Sequence, residues 1–139
     1  MVQLIVGKKG KGKTKQLLDK VNGEIKEIPG SIVYLDKSTK HMYELNNKVR
    51  LNDVSQFMIE NSSEFMGFVA GVISQDHDLQ QMYFDSFLKI SCLEGQDILP
   101  FIKKLEKLSA SFDIDFILSI SLDESELPTE LKEKVIVSL

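Results

Sequence analysis

A short apolar run, Val2-Gln3-Leu4-Ile5-Val6, breaks into Gly7-Lys8-Lys9-Gly10-Lys11-Gly12-Lys13-Thr14. No other stretch restricts the fold of this 139-residue chain as tightly. An apolar run ended by glycine reads as a buried strand. Just beyond the loop, Leu17, Leu18 and Val21 recur at helical spacing. They predict a helix from about Lys13 to Val21, with Gly23 at its end or just past it. The opening unit is therefore strand, tight turn, helix. Gly7 lets the chain leave the strand sharply, and Gly10 and Gly12 carry no Cβ, so the backbone can wrap close to an anion. Successive N–H groups then converge at the positive end of the helix. The spacing G-x-x-x-x-G-K-[ST] is met at every position. Lys13 offers a point charge to a phosphate, and Thr14 offers a hydroxyl to a cation.

The same loop can be read another way, with Lys8, Lys9, Lys11, Lys13 and Lys15 as a nucleic-acid or localisation patch. That reading has no need of glycines at fixed positions. The net charge of -4 and pI of about 5.2 also argue against a surface built for nucleic acid, so a nucleic-acid partner is not indicated.

The rest of the chain alternates strands and helices, without repeats or low-complexity tracts. Ile32-Val33-Tyr34-Leu35 is apolar on both faces and ends at Asp36, as a strand in a covered parallel sheet requires. A helical turn is expected near Ser38–Glu44 and a short strand near Lys48–Leu51. Asn52 or Asp53 can cap a short helix carrying Val54, Phe57 and Met58. Phe65, Phe68, Val69, Val72 and Ile73 make one stripe of a longer helix starting after Ser62 or Ser63, a stripe for the core or a subunit interface. Gln75 to Asp78 reads as a loop. Met82-Tyr83-Phe84 is a strand ending in Asp85. Asp97 caps a helix with Pro100 in its first turn, Phe116–Ile120 is a central strand, Pro128–Lys134 a short amphipathic turn, and Val135–Val137 an edge strand. This rhythm predicts a single α/β domain over residues 1–139, with right-handed crossovers and a mainly parallel sheet.

On the Gly7–Thr14 loop and this order of elements, the chain resembles the P-loop nucleoside triphosphatases, in particular the RecA-like branch with an additional strand. The resemblance implies a three-layer fold with a mainly parallel central sheet, ATP bound through Gly7 to Lys15, and Mg²⁺ held by Thr14 and a strand-end aspartate. In that branch a strand is inserted between the loop strand and the metal-aspartate strand, which favours Asp85 over Asp36 as the metal aspartate. Members often place a glutamate beside that aspartate to orient the attacking water. Here the residue is Ser86, which puts fast hydrolysis in doubt. Asp36 can take the base role beside Lys13, because a carboxylate within reach of the water is what the chemistry requires. Glu94 is a weaker candidate. Ser119 or Ser121 is placed to sense the γ-phosphate.

Guanine recognition would need N-K-x-D, and Asn47-Lys48-Val49-Arg50 lacks the aspartate, so adenine is favoured. Arg50 is the only arginine among seventeen basic residues, which disfavours an arginine-bearing kinase lid. It reads either as a structural partner of Asp53 or Glu44, or as a group reaching a nucleotide across a subunit boundary. His41 and His77 read as surface residues. One cysteine, Cys92, and two histidines leave little for a zinc cluster. With no secretory leader and no membrane span expected, a reducing cytoplasm is the natural compartment. Three functional classes follow: a slow Mg²⁺-dependent ATPase working in a homo-oligomer or with a protein partner, a nucleotide-dependent binding module that scarcely turns over, and an assembly protein whose loop only holds an anion.

Overall fold

A computed structural model describes all 139 residues. Six strands form one sheet in which every pairing is parallel: β1 (Val2–Val6), β2 (Ser31–Asp36), β3 (Arg50–Asp53), β4 (Leu79–Phe84), β5 (Asp115–Ile120) and β6 (Val135–Ser138), in the spatial order β3-β2-β4-β5-β1-β6. Between them lie the longer helices α1 (Lys13–Glu24) and α2 (Ser62–Gln75), the one-turn α3 (Phe87–Ile90) and the longer helix α4 (Leu99–Phe112); the one-turn α5 (Thr129–Lys132) precedes the last strand. The expected α/β layering with a parallel sheet is what the chain adopts.

Alternation along the strands separates two cores. Ile5, Ile32, Tyr34, Tyr83 and Ile117 point to one face and meet Leu17, Leu18 and Val21 of α1. Leu4, Val6, Val33, Leu35, Phe84, Phe116 and Leu118 point to the other and meet Phe65 and Val69 of α2 and Phe101, Ile102 and Leu105 of α4. Aromatic rings knit the larger core: Phe84 lies 5.7 Å from Phe65 and 5.8 Å from Phe116, and Phe87 lies 5.5 Å from Phe101, in the range where edge and offset contacts add to area burial. The Phe65, Val69 and Ile73 stripe is core. No helix is long and apolar enough to cross a membrane.

Boundaries depart from the sequence reading in four places. Helix α1 runs through Gly23 to Glu24, because buried Ile25 draws the last turn inward and its N–H closes on Val21 O. β3 starts at Arg50, since the Asn46 side chain and carbonyl take the N–H groups of Lys48 and Val49 into a turn. The cap of α4 is Ile98, with Asp97 Oδ1 accepting from Leu99 N–H at 3.0 Å. The single turn α3 had no sequence signal: only Phe87 and Ile90 face inward, too few for a periodic stripe.

Candidate functional site

Parallel register lays the C-terminal ends of neighbouring strands side by side. Leu35 pairs with Phe84 and Phe84 with Leu118, so the next residues, Asp36, Asp85 and Ser119, line up across β2, β4 and β5. Asp85 N–H extends the ladder by donating to Leu35 O at 2.9 Å. β5 lies between β1 and β4, so one strand separates the glycine loop from Asp85. Ligand crevices in open α/β sheets form at this end of the strands. A cleft of about 540 Å³ is found there, with Gly10, Gly12, Lys13, Thr14, Asp85, Ser119 and Ser121 among its lining residues. A cleft of about 620 Å³ beside Met1, Glu106 and Lys134 lies at the opposite strand ends and has no such grouping of loop, cation and acid.

Gly10 and Gly12 have φ of 84° and 95°, a region that side-chain-bearing residues avoid. No side chain caps α1, and Gln16 N–H is the first to close back, on Gly12 O. The N–H groups of Lys13, Thr14 and Lys15 have no acceptor within the fold, so the positive end of α1 opens onto the cleft. Lys13 is buried, and its Nζ donates to Lys8 O at 3.1 Å. Burial holds its ammonium below the ordinary lysine value, and the charge of Asp85 partly opposes that shift.

The loop lysines divide by role. Lys9 and Lys13 line the cleft, joined from other segments by Lys37, Lys40 and Lys89. Lys8 turns its side chain away to pair with Glu126 and, at 3.9 Å, with Asp123. Lys15 is exposed and pairs with Asp19 one helical turn on. Lys11 is exposed and forms no ion pair. Lys8 and Lys15 can therefore contribute to the site through backbone N–H groups, the Lys11 N–H being held by Lys8 O at 3.3 Å, whereas Lys9 and Lys13 contribute side chains. Gly7 packs against Leu139, where an added Cβ would stand 3.0 Å from Leu139 Cβ.

Two buried carboxylates sit at the strand ends, Asp85 lining the cleft and Asp36 next to it beneath the surface. Asp85 is 2% exposed; its Oδ1 accepts from Thr14 Oγ1 at 3.1 Å and its Oδ2 from the buried Tyr34 hydroxyl at 2.8 Å. Burial, and then the Asp85 charge, push the Tyr34 phenol far above its ordinary value, so it stays protonated and donates to Asp85. Asp36 is equally buried. Its Oδ1 accepts from Lys37 N–H at 2.7 Å, and its Oδ2 has no partner. Desolvation first, and the neighbouring Asp85 second, raise its carboxyl above the usual carboxylate range. Thr14 and Asp85 are thus brought together, with Asp36 alongside.

His41 is the residue that sequence reasoning missed. It is half-buried and lines the cleft, not the outer surface. One of its ring nitrogens lies within 4.8 Å of oxygens of both Asp36 and Asp85. No periodicity marks it, since the irregular segment after β2 carries it back over the strand ends. Arg50 is remote from the cleft. It pairs with Asp76 at 3.2 Å, not with Asp53 or Glu44. Glu94 and Ser86 line the cleft. No protein-family model matches the chain, and no curated protein sequence matches it.

Proposed function

We propose that this chain binds ATP with Mg²⁺ through the Gly7–Thr14 loop and hydrolyses it slowly, working in an assembly. The observation that carries the reading is the junction of an open helix N-terminus, a buried Lys13 and a Thr14–Asp85 hydrogen bond of 3.1 Å in one cleft. Uncapped N–H groups and cleft lysines attract polyphosphate. Lys13 Nζ is parked on a loop carbonyl, an acceptor that a phosphate oxygen outcompetes by its charge. Thr14 and Asp85 present the hard oxygen donors that Mg²⁺ prefers, and the ion would neutralise phosphate charge there. Asp36 Oδ2 has no partner in the fold but is enclosed, so a side-chain shift that opens it to the cleft must precede its acting as base toward a water. Adenine is favoured over guanine because Asn47-Lys48-Val49-Arg50 lacks the guanine-reading aspartate.

Slow turnover follows from what the cleft lacks. An arginine aimed at the γ-phosphate gives about 10³–10⁵ in rate where one is used. The single arginine of this chain is engaged with Asp76, so such a group would have to come from another molecule. A second reading, a nucleotide-dependent binding module with little hydrolysis, is favoured by Ser86, which occupies the position after Asp85 without a carboxylate to orient water. Turnover against binding separates the two. Mg²⁺ should tighten ATP binding, and Asp85→Asn should weaken that effect more than Asp36→Asn; titration calorimetry with and without Mg²⁺ measures it. Loss of the Mg²⁺ effect in Asp36→Asn alone would invert the assignment.

A further inference from the structure

Asp36, His41 and Asp85 form a cluster that the nucleotide reading does not use as a unit. Their nearest donor atoms all lie within 4.8 Å of one another. Both aspartates are 2% exposed, and neither forms a salt bridge. Buried carboxylates are ordinarily paired with a cation or bound to a metal. Asp85 is hydrogen-bonded through both oxygens, yet Asp36 Oδ2 is fully enclosed and unpartnered, beside a second carboxylate. That oxygen has lone pairs that no donor of the fold meets and that a bound cation would satisfy.

The imidazole already has a carboxylate partner on one ring nitrogen. His41 Nδ1 stands 3.0 Å from Glu44 Oε1. A carboxylate at Nδ1 holds the proton there and leaves the Nε2 lone pair free, the arrangement found behind metal-bound histidines. Oxygen and nitrogen ligands lie about 2.0–2.2 Å from a transition ion, so neighbouring ligands of a tetrahedral or octahedral ion stand about 3.0–3.6 Å apart. From separations within 4.8 Å the cluster needs to close by up to about 1–2 Å, which side-chain rotations supply.

We propose that Asp36, His41 and Asp85 constitute a binding site for a divalent transition-metal ion in the nucleotide-free protein, with Glu44 as the residue positioning the imidazole. Two carboxylates and one imidazole select first-row ions such as Mn²⁺, Co²⁺ or Zn²⁺ over Mg²⁺, which favours oxygen donors and retains its water. This site shares Asp85 with the Thr14–Asp85 pair assigned to Mg²⁺ and draws its other ligands from Asp36 and His41. It rests on the cluster geometry, and not on the nucleotide reading.

The test is titration of the nucleotide-free chain with Co²⁺ and Zn²⁺, followed by calorimetry and by visible absorption of Co²⁺. One equivalent should bind, unaffected by millimolar Mg²⁺. His41→Ala and Asp36→Asn should each weaken it at least tenfold, and Glu44→Gln by about tenfold, the usual cost of an outer partner. In unaltered protein, Zn²⁺ should shift the NMR resonances of His41 and leave those of His77, the only other histidine, in place. That readout holds even if a variant fails to fold. Absence of binding, binding indifferent to His41→Ala, displacement by Mg²⁺, or a shift confined to His77 would each overturn the site. A parallel ATP titration keeps the two proposals apart: ATP binding without the His41 shift defeats the metal site alone, and the His41 shift without ATP binding defeats the nucleotide reading alone.

Discussion

Tyr34→Phe isolates the hydrogen bond that holds Asp85. The ring is fully buried between Tyr83, 6.2 Å away and nearly parallel, and α1, so phenylalanine fills the same space. What is lost is one donor, 2.8 Å from Asp85 Oδ2. A hydrogen bond to a charged group contributes about 1.5–3 kcal/mol net, and its loss leaves a buried oxygen without its partner. Unfolding 139 residues at about 2.1 cal/mol/K each carries an entropy near 0.29 kcal/mol/K. The expected fall in Tm is therefore about 5–10 °C. In an Asp85→Asn background the bond is neutral, worth about 0.5–1.5 kcal/mol, and the same change should cost about 2–5 °C. Thermal unfolding by circular dichroism of the four proteins, at pH 7.5 in chelator, gives the cycle. A fall below about 2 °C in the parent, or equal falls in both backgrounds, would refute the claim that Tyr34 stabilises the Asp85 charge.

The remaining predictions concern Arg50 and alkaline stability. Arg50 is mostly exposed and pairs with a largely buried Asp76, so Arg50→Ala should cost about 0.5–1 kcal/mol, about 2–3 °C in Tm, and leave turnover at low protein concentration unchanged; a large loss of turnover there would show that Arg50 acts within its own chain. Burial raises the phenols of both Tyr34 and Tyr83 above their ordinary value. The unfolded chain then loses these protons first, so the native state binds more protons above pH about 10 and stability falls as pH rises. Urea midpoints between pH 9 and 11 should decline less steeply in Tyr34→Phe than in the parent, and identical slopes would contradict this.

Much of the fold could be read directly from apolar runs. Ile32–Leu35 and Phe116–Ile120 are buried on both faces, so their sequence has no polar phase to mislead, and the Phe65–Ile73 stripe fixed the inward side of α2. Asp36 and Asp85 were legible as strand ends, and parallel register made them neighbours. The hydrogen bonds from Thr14 and Tyr34 were not, because contacts between residues so distant in sequence leave no local pattern. His41 illustrates the same limit: Asn22 holds the segment after it, through Asn46 N–H and Glu44 O, and that tether from α1 places the imidazole over the carboxylates. The roles of the loop lysines were also hidden, since Glu126, far along the chain, decides that Lys8 turns away.

The measurement that bears most directly on the account is titration calorimetry of ATP and Mg²⁺ against the parent chain and Lys13→Ala. Lys13 Nζ rests on a loop carbonyl and supports no core contact through its charge. The variant should keep its circular dichroism spectrum and unfold cooperatively. Loss of a charge-assisted contact worth about 1.5–3 kcal/mol or more predicts ATP affinity weakened at least about tenfold, and beyond detection if several phosphate contacts depend on it. Equal affinity in a folded Lys13→Ala protein, or no ATP binding by the parent, would contradict the reading of Gly7–Thr14 as a phosphate site.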